Sequence, residues 1–295
     1  MAGGLKEVRE RIKSVINTQQ ITKAMKMVSA AKLRKAQDAI IRVRPFANKL
    51  NQVLHNVLAS VEGEVRISLG EDRAVVRHAT VVVITSDRGL CGAFNTNIIK
   101  AAIREIETQF AAQRAARKLT IVPIGKRGYD YFRRHFKDCT IVKDYVNLFE
   151  NLEFQKTVAV PRYLMDQFTK GETDRIFVSY GSFKNAATQF AESAQFLPVP
   201  RLEAKRKKRV NYIYEPESEL LLNTIVPTIL EVQFQRYLLD TNASEHGARM
   251  TAMDKATTNA EEMLSALRIS YNNARQEAIT KELSEIVGGA AALGG

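Results

Sequence analysis

Ala243, His246, Met250, Met253, Thr257, Ala260, Leu264, Leu267, Tyr271, Ala274 and Ala278 stand three and four residues apart by turns, without a slip over five heptads. That spacing keeps one stripe of a helix facing a partner helix for its whole length, and it specifies a coiled coil. The stripe is rich in alanine, which lets two backbones approach closely. Upstream, Pro216-Glu217-Ser218-Glu219 reads as a helix start, with proline in the first turn and acids at the positive end of the dipole. Pro227 predicts a kink near the base of this helix. As one helix, residues 217–287 would span roughly 105 Å.

The partner is found at the other end of the chain. Residues 4–60 contain almost no helix breakers, and as one helix they would span roughly 85 Å. Their apolar positions read Leu5, Val8, Ile12, Val15, then Val28 and Ala31, then Val43, Phe46, Leu50, Val53 and Val57. A polar patch, Asn17-Thr18-Gln19-Gln20, interrupts the series, as if the surface it faces changes there. Pro45 predicts a second kink. Both helices are too long for one core, so they must protrude from a common base and lie antiparallel. The C-terminal helix is the longer and should reach ~20 Å past its partner. Its tip, from Ile286 to Gly295, is uncharged and weakly apolar. Such a tip is either a frayed tail or a segment sheltered inside another protein's collar.

Between these helices, residues 74–213 alternate strand and helix. Ala79–Ile84, Leu119–Ile124, Thr140–Val142 and Arg175–Tyr180 read as strands, and Thr188–Leu197 as an added edge strand. Helical stretches fall near 95–115, 127–137 and 156–170. The pattern predicts a Rossmann-like α/β domain with a largely parallel sheet. The fold class is therefore α/β: a long antiparallel coiled coil from residues 1–60 and 214–295, plus a central domain over 74–213.

The net charge of +12 is unevenly spread. Residues 1–50 hold twelve Lys or Arg against three acids, whereas residues 217–295 hold six against eleven. The run Arg201–Arg209 adds another basic cluster. Charge alone leaves three accounts open: solvated helix faces with attraction between the two ends, nucleic-acid binding, or an acidic protein partner. No recognition motif or aromatic stacking platform supports nucleic acid. No apolar run reaches the ~20 residues of a membrane span, and the first residues do not read as a signal or transit peptide. Cys91 and Cys139 lack metal-ligand spacing and suggest free thiols in a reducing compartment.

The best candidate for chemistry is Ser86-Asp87-Arg88-Gly89-Leu90-Cys91-Gly92, between the first strand and a helix, where open α/β folds bind ligands. Its glycines match neither phosphate-binding fingerprint, and Gly125-Lys-Arg-Gly128 is too short for one. His55, His78, His135 and His246 sit in no motif that would supply Cys91 with a base. The reading is a tight structural turn around a buried thiol, with no catalytic, cofactor or metal site; His246 reads as a packed polar residue of the seam. An α/β enzyme with helical appendages is the alternative.

Stretches in three regions of the chain carry a family resemblance. Asn17-Thr-Gln-Gln-Ile-Thr-Lys-Ala-Met-Lys-Met-Val-Ser-Ala-Ala-Lys-Leu-Arg34 resembles the N-terminal helix of γ subunits of F-type ATP synthases. Asp87-Arg-Gly-Leu-Cys-Gly92 is similar to that family's central-domain loop, and Ser244–Met253 with Tyr271–Gly289 to its C-terminal helix. The likeness runs in order along the whole chain. It implies a central rotating shaft that couples c-ring rotation to ATP synthesis or hydrolysis at the β subunits, without catalysis of its own. It also implies α, β, ε and c-ring partners, and a peripheral place on the cytoplasmic face of a bacterial inner membrane, without insertion. By the match, Met25 and Lys26 meet an acidic lever of β, and Arg275, Gln276 and Thr280 are gripped by a β loop. The length estimates put Arg275 and Gln276 past the end of the N-terminal helix. The insertion of chloroplast and cyanobacterial relatives, and the chloroplast cysteine pair, are not matched. Against this family the polar patch becomes the place where the shaft leaves its own partner for β, and the tip becomes its bearing.

Overall fold

A computed structural model describes residues 2–60, 68–73, 75–199 and 218–293. The basic run Arg201–Arg209 and the helix-start residues Pro216 and Glu217 lie outside them. Two helices dominate, α1 (Ala2–Ser60) and α7 (Ser218–Leu293), and each runs on through its proline, Pro45 or Pro227. Between them come β1 (Ala79–Ile84), α2 (Phe94–Gln109), α3 (Ala111–Ala115), β2 (Leu119–Ile124), α4 (Lys126–His135) and β3 (Thr140–Ile141). They are followed by α5 (Phe154–Thr157), α6 (Ala159–Thr169), β4 (Arg175–Phe183) and β5 (Gln189–Leu197). The chain divides into two compact units, Met1–Ser29 with Met250–Gly295, and Ala30–Arg249.

In the larger unit the five strands form one sheet in the order β3-β2-β1-β4-β5. The first four are parallel, and β5 returns antiparallel along β4 as the expected edge strand. Every residue of β1 is buried because both faces of the sheet are covered, which is why the strand reads as an unbroken apolar run. Alternation sorts its side chains. Val81 and Val83 join Ile98, Ala102, Ile106 and Phe132 of α2 and α4. Val82 and Ile84 join Leu164 and Phe168 of α6 and Leu230, Phe234 and Leu238 of α7. The base of α7 is thus one layer of this core.

Strand β4 outruns its neighbour. It pairs with β1 only as far as Ser179 and continues to Phe183. Beyond that point α7 takes over the role of a strand at Gly181. The Gly181 N–H donates to Thr241 Oγ1 at 3.2 Å, and the Gly181 carbonyl accepts from Ser244 Oγ at 3.1 Å. A Cβ at Gly181 would stand 2.7 Å from the Phe94 ring and 3.3 Å from the Ser244 Cβ, so only glycine permits this approach.

In the smaller unit, α1 and α7 pair side by side. Arg9 Nη2 donates to Tyr271 Oη at 2.9 Å, Gln19 Nε2 to Glu261 Oε1 at 3.0 Å, and Thr22 and Thr257 hydroxyls meet at 2.8 Å. Residue numbers fall on one helix as they rise on the other, so the pair is antiparallel. The C-terminal seam is as its spacing predicts: Met253, Ala260 and Leu264 are buried and Thr257, Leu267, Tyr271 and Ala274 half-buried. Ala278 is exposed.

The N-terminal seam needs correction. Leu5, Val8, Ile12 and Val15 are half-buried as expected, but Val28 is 56% exposed and Ala31 and Phe46 are exposed too. The stripe does not break at the polar patch. It continues in heptad steps through Gln19, Thr22, Lys26 and Ser29, with Thr22 and Ser29 buried. Val28 follows Ile21 by seven residues on a different, outward stripe.

Candidate functional site

The loop after β1 is built by its own hydrogen bonds. Asn95 Oδ1 accepts from the Ser86 N–H at 2.9 Å, and Ser86 Oγ donates to the Arg88 carbonyl at 2.6 Å. Leu90 and Gly92 turn through positive φ, and the turn buries Cys91 while leaving Leu90 on the outside. Burial pushes the Cys91 thiol up, despite the opposing Ser86 hydrogen bond and Arg249 charge, so it stays protonated at neutral pH. Cys139, elsewhere in this unit, is pushed up to about 11, chiefly by burial.

The amides that would cradle a phosphate at the start of α4 are already in use. The Lys126 N–H donates to Asp87 Oδ1 at 3.1 Å, Arg127 N–H to the Ser86 carbonyl at 3.2 Å, and Gly128 N–H to Thr85 Oγ1 at 2.8 Å. The loop also receives Arg249 of α7. This buried guanidinium donates to the carbonyls of Gly89 (3.2 Å) and Arg88 (3.1 Å), to Glu245 Oε1 (2.6 Å) and to His246 Nδ1 (3.2 Å). Burial raises the Glu245 carboxyl and Arg249 opposes the rise. His246 is pushed down to about 4, first by burial and then by the charges of Arg249 and Lys32. It is a neutral acceptor at pH 7, the packed polar residue its sequence position suggested. Arg249 escaped the sequence reading. The one available signal was the Glu245–Arg249 spacing of four, which stacks the pair on one helix face.

The expected partner contacts fall in two places. Met25 is half-buried, and Lys26 Nζ lies 2.5 Å from Asp254 Oδ1 of α7. Lys26 therefore has a partner within the chain, which its sequence position did not reveal. Arg275, Gln276 and Thr280 are exposed. They lie 21 residues further along α7 than Asp254, about 30 Å, so the two sets are separate surfaces. Contrary to the length estimate, α1 does reach the level of Arg275: Arg9 bonds Tyr271, and Leu5 is half-buried. Arg275 and Gln276 are exposed because they face outward.

Past that level, among the described residues, α7 continues alone, and its apolar residues change face. The seam positions that follow Ala278 in heptad register are Lys281 and Glu285, both exposed. A new stripe of Ile279, Leu283, Ile286 and Val287 stands one position round, roughly 100° away, with every member 46% exposed or more. Among the described residues, no group of three or more His, Cys, Asp or Glu is placed to hold a metal ion, and no helix is long and apolar enough to cross a membrane.

Residues 4–293 match the family model described as ATP synthase. The chain is 50% identical to the ATP synthase gamma chain of Cytophaga hutchinsonii, over 98% of either chain. Among solved structures it resembles a chain of the central stalk and c-ring of the Tetrahymena thermophila mitochondrial ATP synthase. There the TM-score is 0.55 and the identity 26%, over 80% of this chain and 99% of that one. It shares its fold with a chain from the Euglena gracilis mitochondrial ATP synthase, at a TM-score of 0.68 and 24% identity, over 99% and 95% of the two chains. With a family match over nearly its whole length and half of its residues identical to a gamma chain, this chain belongs to the ATP synthase gamma-chain family.

Proposed function

We propose that the chain is the central rotating shaft of a proton-translocating F-type ATP synthase. It couples rotation of a membrane c-ring to ATP synthesis or hydrolysis at the β subunits and catalyses nothing itself. The coil of residues 1–60 and 214–295 runs within a ring of α and β subunits. The domain of 74–213 is the foot that docks, with an ε subunit, on the c-ring at the cytoplasmic face of the bacterial inner membrane, peripherally and without insertion. The observation that carries this reading is where the paired helices place their apolar residues. Thr22, Ser29 and Thr257 occupy the seam, while Ile21, Val28, Met263 and Ile269 point outward and the lone tip bares a complete apolar stripe. Apolar stripes of that kind mark surfaces that another protein covers.

Affinity purification of the tagged chain from native membranes tests the assignment. Recovery of α, β and ε subunits in stoichiometric amounts is the expected result, and their absence would sink it.

Met25 and Lys26, and separately Arg275, Gln276 and Thr280, are the residues assigned to the β contacts. Lys26 and Asp254 are 43% and 56% exposed, and an ion pair so open to water contributes at most ~1 kcal/mol. Lys26→Glu should therefore barely change the stability of the chain yet impair ATP-driven proton pumping. Exchanging the pair, Lys26→Glu with Asp254→Lys, restores the internal attraction but not pumping. If the exchange did restore pumping, the internal pair and not a β lever would be what Lys26 serves. Reversing Lys23, Lys26 and Lys32 together should likewise impair coupling more than folding.

A further inference from the structure

Asp240 sits near the base of α7 in the larger unit and is only 8% exposed. Its ion-pair partner is Arg236 on the same helix, whose Nε lies 3.5 Å from Oδ2 and whose side chain is 67% exposed. Arg44 faces it from α1, Glu192 from β5, and Tyr180 from β4. Tyr180 Oη donates to Glu192 Oε2 at 3.0 Å, and its ring lies 4.3 Å from that of Tyr237. A buried carboxylate with one loose ion pair, a second guanidinium that makes no bond to it and another carboxylate nearby is poorly balanced.

Next to this cluster a cavity of about 330 Å³ reaches from Ala47 and Leu50 of α1 to Tyr180, Arg236 and Tyr237. The polar groups that would orient an organic ligand in it are already engaged. Gln233 Nε2 donates to Tyr237 Oη at 2.6 Å, Tyr180 serves Glu192, and Arg236 serves Asp240. The cavity has room for water beside Arg236, the residue paired with Asp240.

We propose that Asp240 is a proton-binding site that sets how tightly the base of α7 holds to α1 and to the β4–β5 edge. With a proton, the side chain is buried as a neutral group. Without one, it stands against Glu192 with, among the described residues, Arg236 and Arg44 to balance it. The direction of the equilibrium agrees: burial lifts the carboxyl, Arg236 and Arg44 pull it down and Glu192 lifts it again, which leaves it at about 6. The closed state thus keeps a proton that a solvated aspartate, ordinarily near 3.9, gives up. The contribution to tightness is full at acid pH and is lost as pH rises through about 6.

Hydrogen exchange of amides 234–244 in the full-length chain, from pH 5 to 8 and corrected for the intrinsic base-catalysed rate, tests this. Protection should fall across the range, by up to roughly tenfold if opening hydrates Asp240 fully. Asp240→Asn should abolish the step and hold protection at its acid level. Glu192→Gln should keep the step but move its midpoint to lower pH. Glu245 also titrates from a raised position, so the comparison with Asp240→Asn isolates Asp240. A flat wild-type profile, or a step that survives Asp240→Asn, overturns the proposal. If that variant does not fold, the carboxyl carbon of Asp240 is titrated by NMR in the wild type. A midpoint at or below about 4 overturns the proposal, and one near 6 upholds it.

Discussion

Arg249→Ala is expected to lower the unfolding free energy of the full-length chain by about 3–5 kcal/mol at neutral pH, measured by chemical denaturation. The loss comes less from the bonds removed than from what remains. Glu245 is only 7% exposed and would be left as an uncompensated buried carboxylate. The Gly89 carbonyl would lose its partner, whereas the Arg88 carbonyl still accepts from Ser86 Oγ. The pH dependence separates these effects. Burial already raises the Glu245 carboxyl and Arg249 restrains the rise; without Arg249 it climbs further. A folded-state value above the unfolded one favours folding at low pH, so the deficit of the variant should shrink between pH 8 and pH 5. Arg249→Met with Glu245→Leu, which removes both charges, should recover most of the loss. A double variant as unstable as Arg249→Ala would mean that the carbonyl contacts, rather than the charge pair, hold the joint.

Gly125→Ala should be as damaging, for a different reason. Gly125 links β2 to α4 at φ +93°, and a Cβ there would lie 2.2 Å from the Thr85 carbonyl oxygen and 2.7 Å from its carbon. Those are backbone atoms of the neighbouring strand end, and they cannot swing aside as a side chain would. Gly171, at φ +80°, has nothing within 4 Å of the same position. Gly171→Ala should therefore show the conformational strain alone, about 1–2 kcal/mol. Gly125→Ala adds the overlap and should exceed about 4 kcal/mol, or fail to fold. Equal costs in denaturant would show that the turn can shift freely. The difference matters for the loop after β1, because Thr85, Ser86 and Asp87 all bind the first turn of α4 just past Gly125.

The frame of this protein was legible because its signals are repetitive. Apolar spacing marked the C-terminal seam, and four apolar strands with a fifth at the edge gave the sheet. The family was legible from stretches in three regions of the chain. What escaped were residues whose place in the fold does not follow from their type or from local spacing. Gln19 and Thr22 read as a gap in the seam because periodicity counts apolar side chains, yet they pack there by bonding Glu261 and Thr257 on the other helix. Val28 read as seam because it is apolar, yet it lies on the outward stripe. Lys26 read as a contact for another subunit, and its bond to Asp254 spans 228 residues of sequence. Arg249 reaches back 160 residues to a loop carbonyl, and no local pattern announces such a bond.

The part played by α7 in the larger unit also bears on how the polypeptide is made. One face of the sheet packs on Val226, Leu230, Phe234 and Leu238, and the overhang of β4 is completed by Thr241 and Ser244. While the ribosome is still reading the strands, that face has only α6 and its neighbours to cover it. The Gly181 backbone groups wait for residues translated some sixty codons later. At ~5–20 residues per second this is an interval of seconds with apolar strand surface bare, the kind of surface chaperones recognise. The α/β domain thus cannot mature as an N-terminal piece ahead of the rest; its last structural layer arrives with the helix that also carries the tip.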